Sequence, residues 1–209
     1  MRIDPLRPDP DHIRAAARIL GQKGVLVFPT AGLYGLGVDA FCAEAVRRVF
    51  AIKRRPVDKP VLVLLSGMRD METVVQMVPD YAEPLLGLWP GGITLIFRAA
   101  DGVPADLTGG TGKIGVRLPA HPVAKALTET FGGPITGTSA NLSGGPASAR
   151  VTTLAPEIRR QADMILDAGT LAGGSGSTIV DATCWPVKVI REGTVSRRTI
   201  DGVLKNRTT

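Results

Sequence analysis

Cysteine is scarce in this 209-residue chain. Cys42 and Cys184 are the two present, too few for a disulfide framework. A reduced, cytoplasmic setting follows as the natural expectation. Histidine is equally rare, with His12 and His121 alone. No HxxxH, CxxC or clustered carboxylate pattern occurs, which argues against a transition-metal site built from histidine or cysteine. Two isolated histidines also argue against a Ser–His–Asp triad and leave neither cysteine an obvious base. Aromatic residues make up 4% of the chain, so stacking platforms for single-stranded nucleic acid are sparse. No run of 18 apolar residues exists to span a membrane, and MRIDPLRPDPDHIRAAA at the start has no apolar segment of a signal peptide.

What is present is a hydrophobic fraction of 44% against 21% charged residues. That suffices for a sizeable core in one domain, here expected over 1–209 with its core at about 10–196. The formal net charge is +6. Such a surplus suits an anionic partner, although general solubility accounts for it equally well.

Ile13, Ala16, Ala17 and Leu20 recur at helical spacing after Asp9 and Asp11, which can cap the helix. VLVFP (25–29), VLVLL (61–65), ITLIF (93–97), KIGVRLP (113–119) and PITGTS (134–139) read as buried strands. Helices are expected over 43–54, 80–88, from 121 or 122 to 131, and 155–162. Three further strand candidates lie in 163–169, 177–183 and 187–193. Early alternation and late crowding of strands predict an α/β fold, a twisted mixed sheet flanked by helices. Residues 197–209 are polar and basic and read as a fraying tail or a short terminal helix.

Open α/β sheets bind ligands at strand ends, and five such corners carry unusual residues. PTAGLYGLG offers Thr30 among glycines, but it is neither GxGxxG nor a Walker loop. KRRPVDKP packs Lys53, Arg54, Arg55 and Lys59 around two prolines, and could equally be a solvated helix end. Arg117 interrupts an apolar strand. TSANLSGG gathers Ser139 and Asn141 after another strand, where they could also cap a turn. GGSGSTIVD and VIREG bring Ser177 and Arg191, unless they form a plain hairpin. Together these corners are rich in cations and poor in acids. Chemistry there would rest on positioning and charge neutralisation.

FPTAGLYGLG, AIKRRPVDKP, WPGGITLIF, IGVRLPAHPVAKAL, PITGTSANLSG, GSTIVDAT and VIREGTV occur in that order. Taken together they resemble the YrdC-type threonylcarbamoyl-AMP synthases, in their single-domain form, over about 25–195. The resemblance implies a YrdC-like fold with a large concave basic surface. It implies an ATP-dependent nucleotidyltransferase that makes threonylcarbamoyl-AMP from L-threonine and bicarbonate and releases pyrophosphate, with Mg²⁺ accompanying ATP and no metal held by protein side chains. The product would feed tRNA threonylcarbamoyladenosine formation through a downstream transferase complex, and double-stranded RNA or tRNA would be a further partner. Carried over by position, Lys53, Arg55, Ser139 and Asn141 are implied to be catalytic. Lys53, Arg55, Lys59, Asn141 and Arg191 are implied to bind ATP, and Thr30, Arg117, Ser139 and Ser177 threonine. Gly32, Leu64 and Ala149 depart from the family pattern, at the threonine turn, at a position that is histidine in longer members, and in the loop after SGG. The alternatives are a non-catalytic RNA-binding paralogue and a carbamoyl-phosphate enzyme of the same fold.

Overall fold

The computed structural model describes residues 1–205, so the last four residues of the basic tail lie outside the described region. The chain opens with α1 (Pro10–Gly21), whose N-terminal Pro10 leaves no wasted amide and whose Asp9 side chain accepts from the Asp11 amide. Next come β1 (Leu26–Pro29), β2 (Tyr34–Gly37) and α2 (Ala43–Lys53), then β3 (Val63–Leu64) and the short helices α3 (Met71–Val74) and α4 (Glu83–Leu86). The middle of the chain contributes β4 (Ile93–Arg98), α5 (Ala105–Thr108), β5 (Lys113–Arg117) and α6 (Pro122–Phe131). After them run β6 (Ile135–Thr136), β7 (Thr138–Ser139), α7 (Pro156–Gln161), β8 (Met164–Ile165), β9 (Thr178–Asp181), β10 (Lys188–Arg191) and α8 (Arg197–Lys205).

Two sheets form instead of one. A six-stranded sheet runs β10-β9-β4-β5-β3-β6, and a four-stranded one β7-β2-β1-β8. Both mix parallel and antiparallel neighbours: β4 pairs parallel with β9 and antiparallel with β5. The larger core fills the space between sheets and helices, from Val25 through Phe97 to Ile200. A smaller cluster, including Ile13, Leu20, Leu64 and Leu127, lies under α1 and α6.

Most of the predicted elements appear, but PITGTS splits into β6 and β7, the short helices α3 and α5 have no counterpart among them, and other segments differ as well. Tyr34–Gly37 pairs antiparallel with β1 as a strand, where glycine content suggested only a turn. A Cβ on Gly37 would lie 2.5 Å from the Thr136 carbonyl oxygen, so the strand is glycine-rich because its neighbours are close. The run 61–65 pairs only at Val63–Leu64, although Val61 and Leu65 are buried. The helix expected over 80–88 shrinks to a 3₁₀ turn plus α4. In the tail, α8 forms around the fully buried Ile200, which ties this end to the core.

The chain crosses from one sheet to the other at a single residue, beside the place where the end of β2 approaches β6. β6 belongs to the six-stranded sheet and β7 to the four-stranded one, and only Gly137 separates them. A Cβ there would sit 2.6 Å from Leu64 Cγ, inside the packed core, so the crossing has no room for a side chain.

Candidate functional site

Beside Gly137 the strand ends of both sheets border a cavity of about 330 Å³. Six of the nine sequence candidates line it: Thr30, Arg55, Arg117, Ser139, Ser177 and Arg191. No aspartate or glutamate does.

The three guanidinium groups reach it by different routes. Arg55 follows the left-handed Arg54 that ends α2. Its Nε and Nη2 donate to the carbonyls of Lys59 (3.2 Å) and Pro60 (2.7 Å), so the proline corner grips its own arginine. Burial lowers the Arg55 pKa from its ordinary value. Arg117 ends β5 and is only 8% exposed. Its Nε–H has no hydrogen-bond partner among the described residues. Burial, and then the neighbouring Arg191 charge, push its pKa down to about 10. Arg191 ends β10, and its Nη2 donates to the Ser177 carbonyl at 2.7 Å. None of the three has a carboxylate partner among the ion pairs of the described residues.

Hydroxyls complete the lining. Thr30 closes its turn through Oγ1 to the Leu33 carbonyl at 2.6 Å. The buried Ser177 Oγ lies 2.9 Å from Thr94 Oγ1 on β4. Thr94 does not line the cavity but holds Ser177 from behind, and within ITLIF it reads as one more strand position.

Lys53, Lys59 and Asn141 do not line the cavity. Lys59 is exposed on the proline corner, joined to it through its backbone. Lys53 is 1% exposed. Its Nζ donates to the Ser139 carbonyl, the Asn141 carbonyl at 2.7 Å and Asn141 Oδ1 at 3.3 Å. Asn141 Oδ1 also accepts from Ser139 Oγ, and its Nδ2 donates to the Leu142 and Gly145 carbonyls. Burial, with a contribution from Arg55, lowers the Lys53 pKa to about 8. Lys53 and Asn141 therefore build the loop that presents Ser139.

The departures have structural readings too. Any side chain at Gly32 would meet the Gly173 carbonyl oxygen at 2.0 Å, while the Gly32 carbonyl accepts from the Gly173 amide at 2.8 Å. Leu64 is fully buried in the smaller core and packs on Gly137. Ala149 accepts from the Leu171 amide through its carbonyl, a role that needs no side chain. Arg54, one position from the site arginine, points outward to Glu157 at 3.6 Å.

An α/β protein whose two mixed sheets meet at a cavity ringed by uncompensated arginines and hydroxyls is built to hold anions. The Sua5/YciO/YrdC family model, described as telomere recombination, matches residues 18–193, and the chain belongs to that family. A threonylcarbamoyl-AMP synthase of Pyrococcus abyssi is 35% identical over 92% of this chain and 57% of its own length. One of Xanthomonas campestris is 35% identical over 92% of this chain and 99% of its own length. The crystal structure of P. abyssi Sua5 with L-threonine superposes with a TM-score of 0.91 at 33% identity, over 97% of this chain and 60% of that one. The chain thus spans under two thirds of the archaeal relative and nearly all of the bacterial one.

Proposed function

We propose that the chain synthesises threonylcarbamoyl-AMP from L-threonine, bicarbonate and ATP, releasing pyrophosphate, as the first step of tRNA threonylcarbamoyladenosine formation. The observation that carries the reading is the convergence of Arg55, Arg117 and Arg191 on one cavity without a carboxylate. Relatives named for this activity, one of them solved with threonine, support it.

The threonine amine adds to the bicarbonate carbon, water leaves, and a carbamate forms. A carbamate oxygen then attacks the α-phosphorus of ATP, and pyrophosphate departs. The carbamate and ATP are both anionic, and their mutual repulsion must be offset before the oxygen can approach phosphorus. Arg117 holds the amino acid carboxylate as a planar fork, with Thr30 and Ser177 beside it. Arg55 and Arg191 take the phosphates, Arg191 from beside Ser177, and Ser139 lines the same cavity. Lys53 and Asn141 act through the loop they hold. The lining does not fit a divalent ion held by the protein, because it supplies no carboxylate, so charge neutralisation by the chain falls to the guanidinium groups.

Incubation with the three substrates should yield threonine-dependent pyrophosphate and the mixed adenylate. A purified, folded protein that produces neither would remove the reading. Arg55→Ala should lower turnover by roughly 100-fold or more with an unchanged circular dichroism spectrum, as expected for a group that stabilises developing charge.

A further inference from the structure

Between Arg191 and α8 the segment 192–196 crosses the start of β9, and the hydrogen bonds around it converge on three successive residues, Gly176, Ser177 and Thr178. The Gly176 carbonyl accepts from the Thr194 amide at 3.0 Å and from Thr194 Oγ1 at 2.8 Å. The Ser177 carbonyl accepts from Arg191 Nη2. Thr178 Oγ1 donates to the Val195 carbonyl at 2.5 Å and accepts from the amides of Gly193 (2.8 Å) and Val195 (3.0 Å). A hydroxyl has one proton to give and two lone pairs, so this one is fully used. Thr178 is completely buried and does not line the cavity. The backbones are pressed close here: a Cβ on Gly193 would lie 2.4 Å from the Gly176 carbonyl oxygen.

We propose that Thr178 is a positioning residue for Arg191: its hydroxyl clamps the segment that follows the arginine onto β9, and so sets the affinity of the cavity for a phosphate chain. This rests on the phosphate role given to Arg191 above and adds the group that aims it. Threonine suits a strand for its branching alone, but three hydrogen bonds on one oxygen are something valine cannot supply. The register between β9 and β10 shifts between Val189 and Arg191, so the arginine stands where the ladder is irregular. With irregular pairing before it and a loop after it, its direction depends on what holds that loop. A methyl in place of the hydroxyl would take the partner from two amides and one carbonyl of the half-buried Gly193 and Val195, and groups left so turn toward water. The segment would lift and carry Arg191 with it. The amino acid side would stay, because Ser177 is also held by Thr94 and Arg117 stands on β5.

Calorimetric titration with inorganic pyrophosphate reads the clamp without turnover. Thr178→Val should weaken pyrophosphate binding roughly tenfold, Arg191→Ala at least as much, and the double variant no more than Arg191→Ala alone. Thr178→Ser keeps the hydroxyl and should stay within about twofold of the wild type. Gly193→Ala leaves β9 untouched but drives a Cβ against Gly176, and it should reproduce the loss even where Thr178→Val does not fold. Unchanged affinity in either clamp variant, or losses that multiply in the double variant, would overturn the proposal. So would an equal fall in threonine affinity, which marks general loosening, or a wild type that does not bind pyrophosphate. The expected pattern in a protein that makes no adenylate would support the clamp and sink the synthase reading. Adenylate formation beside an unmoved pyrophosphate affinity in Thr178→Val would do the reverse.

Discussion

Lys53 gives its three donors to oxygens of the 139–141 segment, while its own carbonyl receives the Ser143 amide. Truncation to alanine would strip the Asn141 carbonyl of its donor and empty the buried space of the side chain, while the Ser139 carbonyl and Asn141 Oδ1 would keep the Asn141 amide and Ser139 Oγ. Lys53→Ala should cost roughly 3 kcal/mol, near the lower bound for breaking a buried charged network, and for a chain of this size lower Tm by roughly 6–12 °C. Differential scanning calorimetry reads this directly, and a Tm unchanged within about 1 °C would return Lys53 to the role of a free phosphate ligand. Arg55 contrasts with it two positions along. Its anchors are carbonyls of its own proline corner, so its loss should be felt in turnover far more than in stability. The motif alone treats the two cations as equals, and burial separates them.

At the scale of elements, α6 shows how a corner of the site depends on a cap. His121 precedes Pro122, and its Nδ1 accepts from the Val123 amide at 3.2 Å. Burial lowers the His121 pKa below its ordinary value of about 6.5. A depressed folded-state pKa means that the unfolded chain takes up the proton first. The stabilisation is therefore complete above about pH 6.5 and is lost as pH falls through the folded-state value. Between pH 7.5 and pH 5 the wild type should lose more Tm than His121→Asn, whose amide oxygen caps the helix at either pH. Parallel losses in the two proteins would remove the cap from the account. α6 packs on α1 over the smaller core, so fraying there would loosen Leu64 and, through it, Gly137.

The molecule as a whole turns on the crossing between sheets. Gly137 carries the chain from β6 to β7, borders the main cavity and receives Leu64 where a side chain would otherwise stand. Gly137→Ala should cost roughly 1–3 kcal/mol, the range for overpacking a close-packed core, and should also lower turnover because both sheets contribute site residues. A variant with wild-type Tm and wild-type turnover would show that the two sheets are not held in register at this point. The two departures from the family pattern at positions 32 and 64 belong to the same scale. Both make sense only against residues distant in sequence, Gly173 and Gly137.

Much of the fold was legible because its signals are local. Apolar runs of four to six residues mark buried strands, Asp9 and Pro10 announce α1, and Pro122 announces α6. The candidate set was legible as well, since cations and hydroxyls at strand ends are a pattern of residue types. β2 was hidden because Gly35 and Gly37 mimic a turn, and their small size answers to Thr30, Phe28 and Thr136 across space. By itself the sequence determined the order of elements, the surplus of positive charge and the residues able to meet an anion. Only the tertiary structure decided which cations face the cavity and which hold its walls. Desolvation and hydrogen-bond completion act between residues that the chain brings together from 86 and 88 positions apart, as Lys53 does with Ser139 and Asn141.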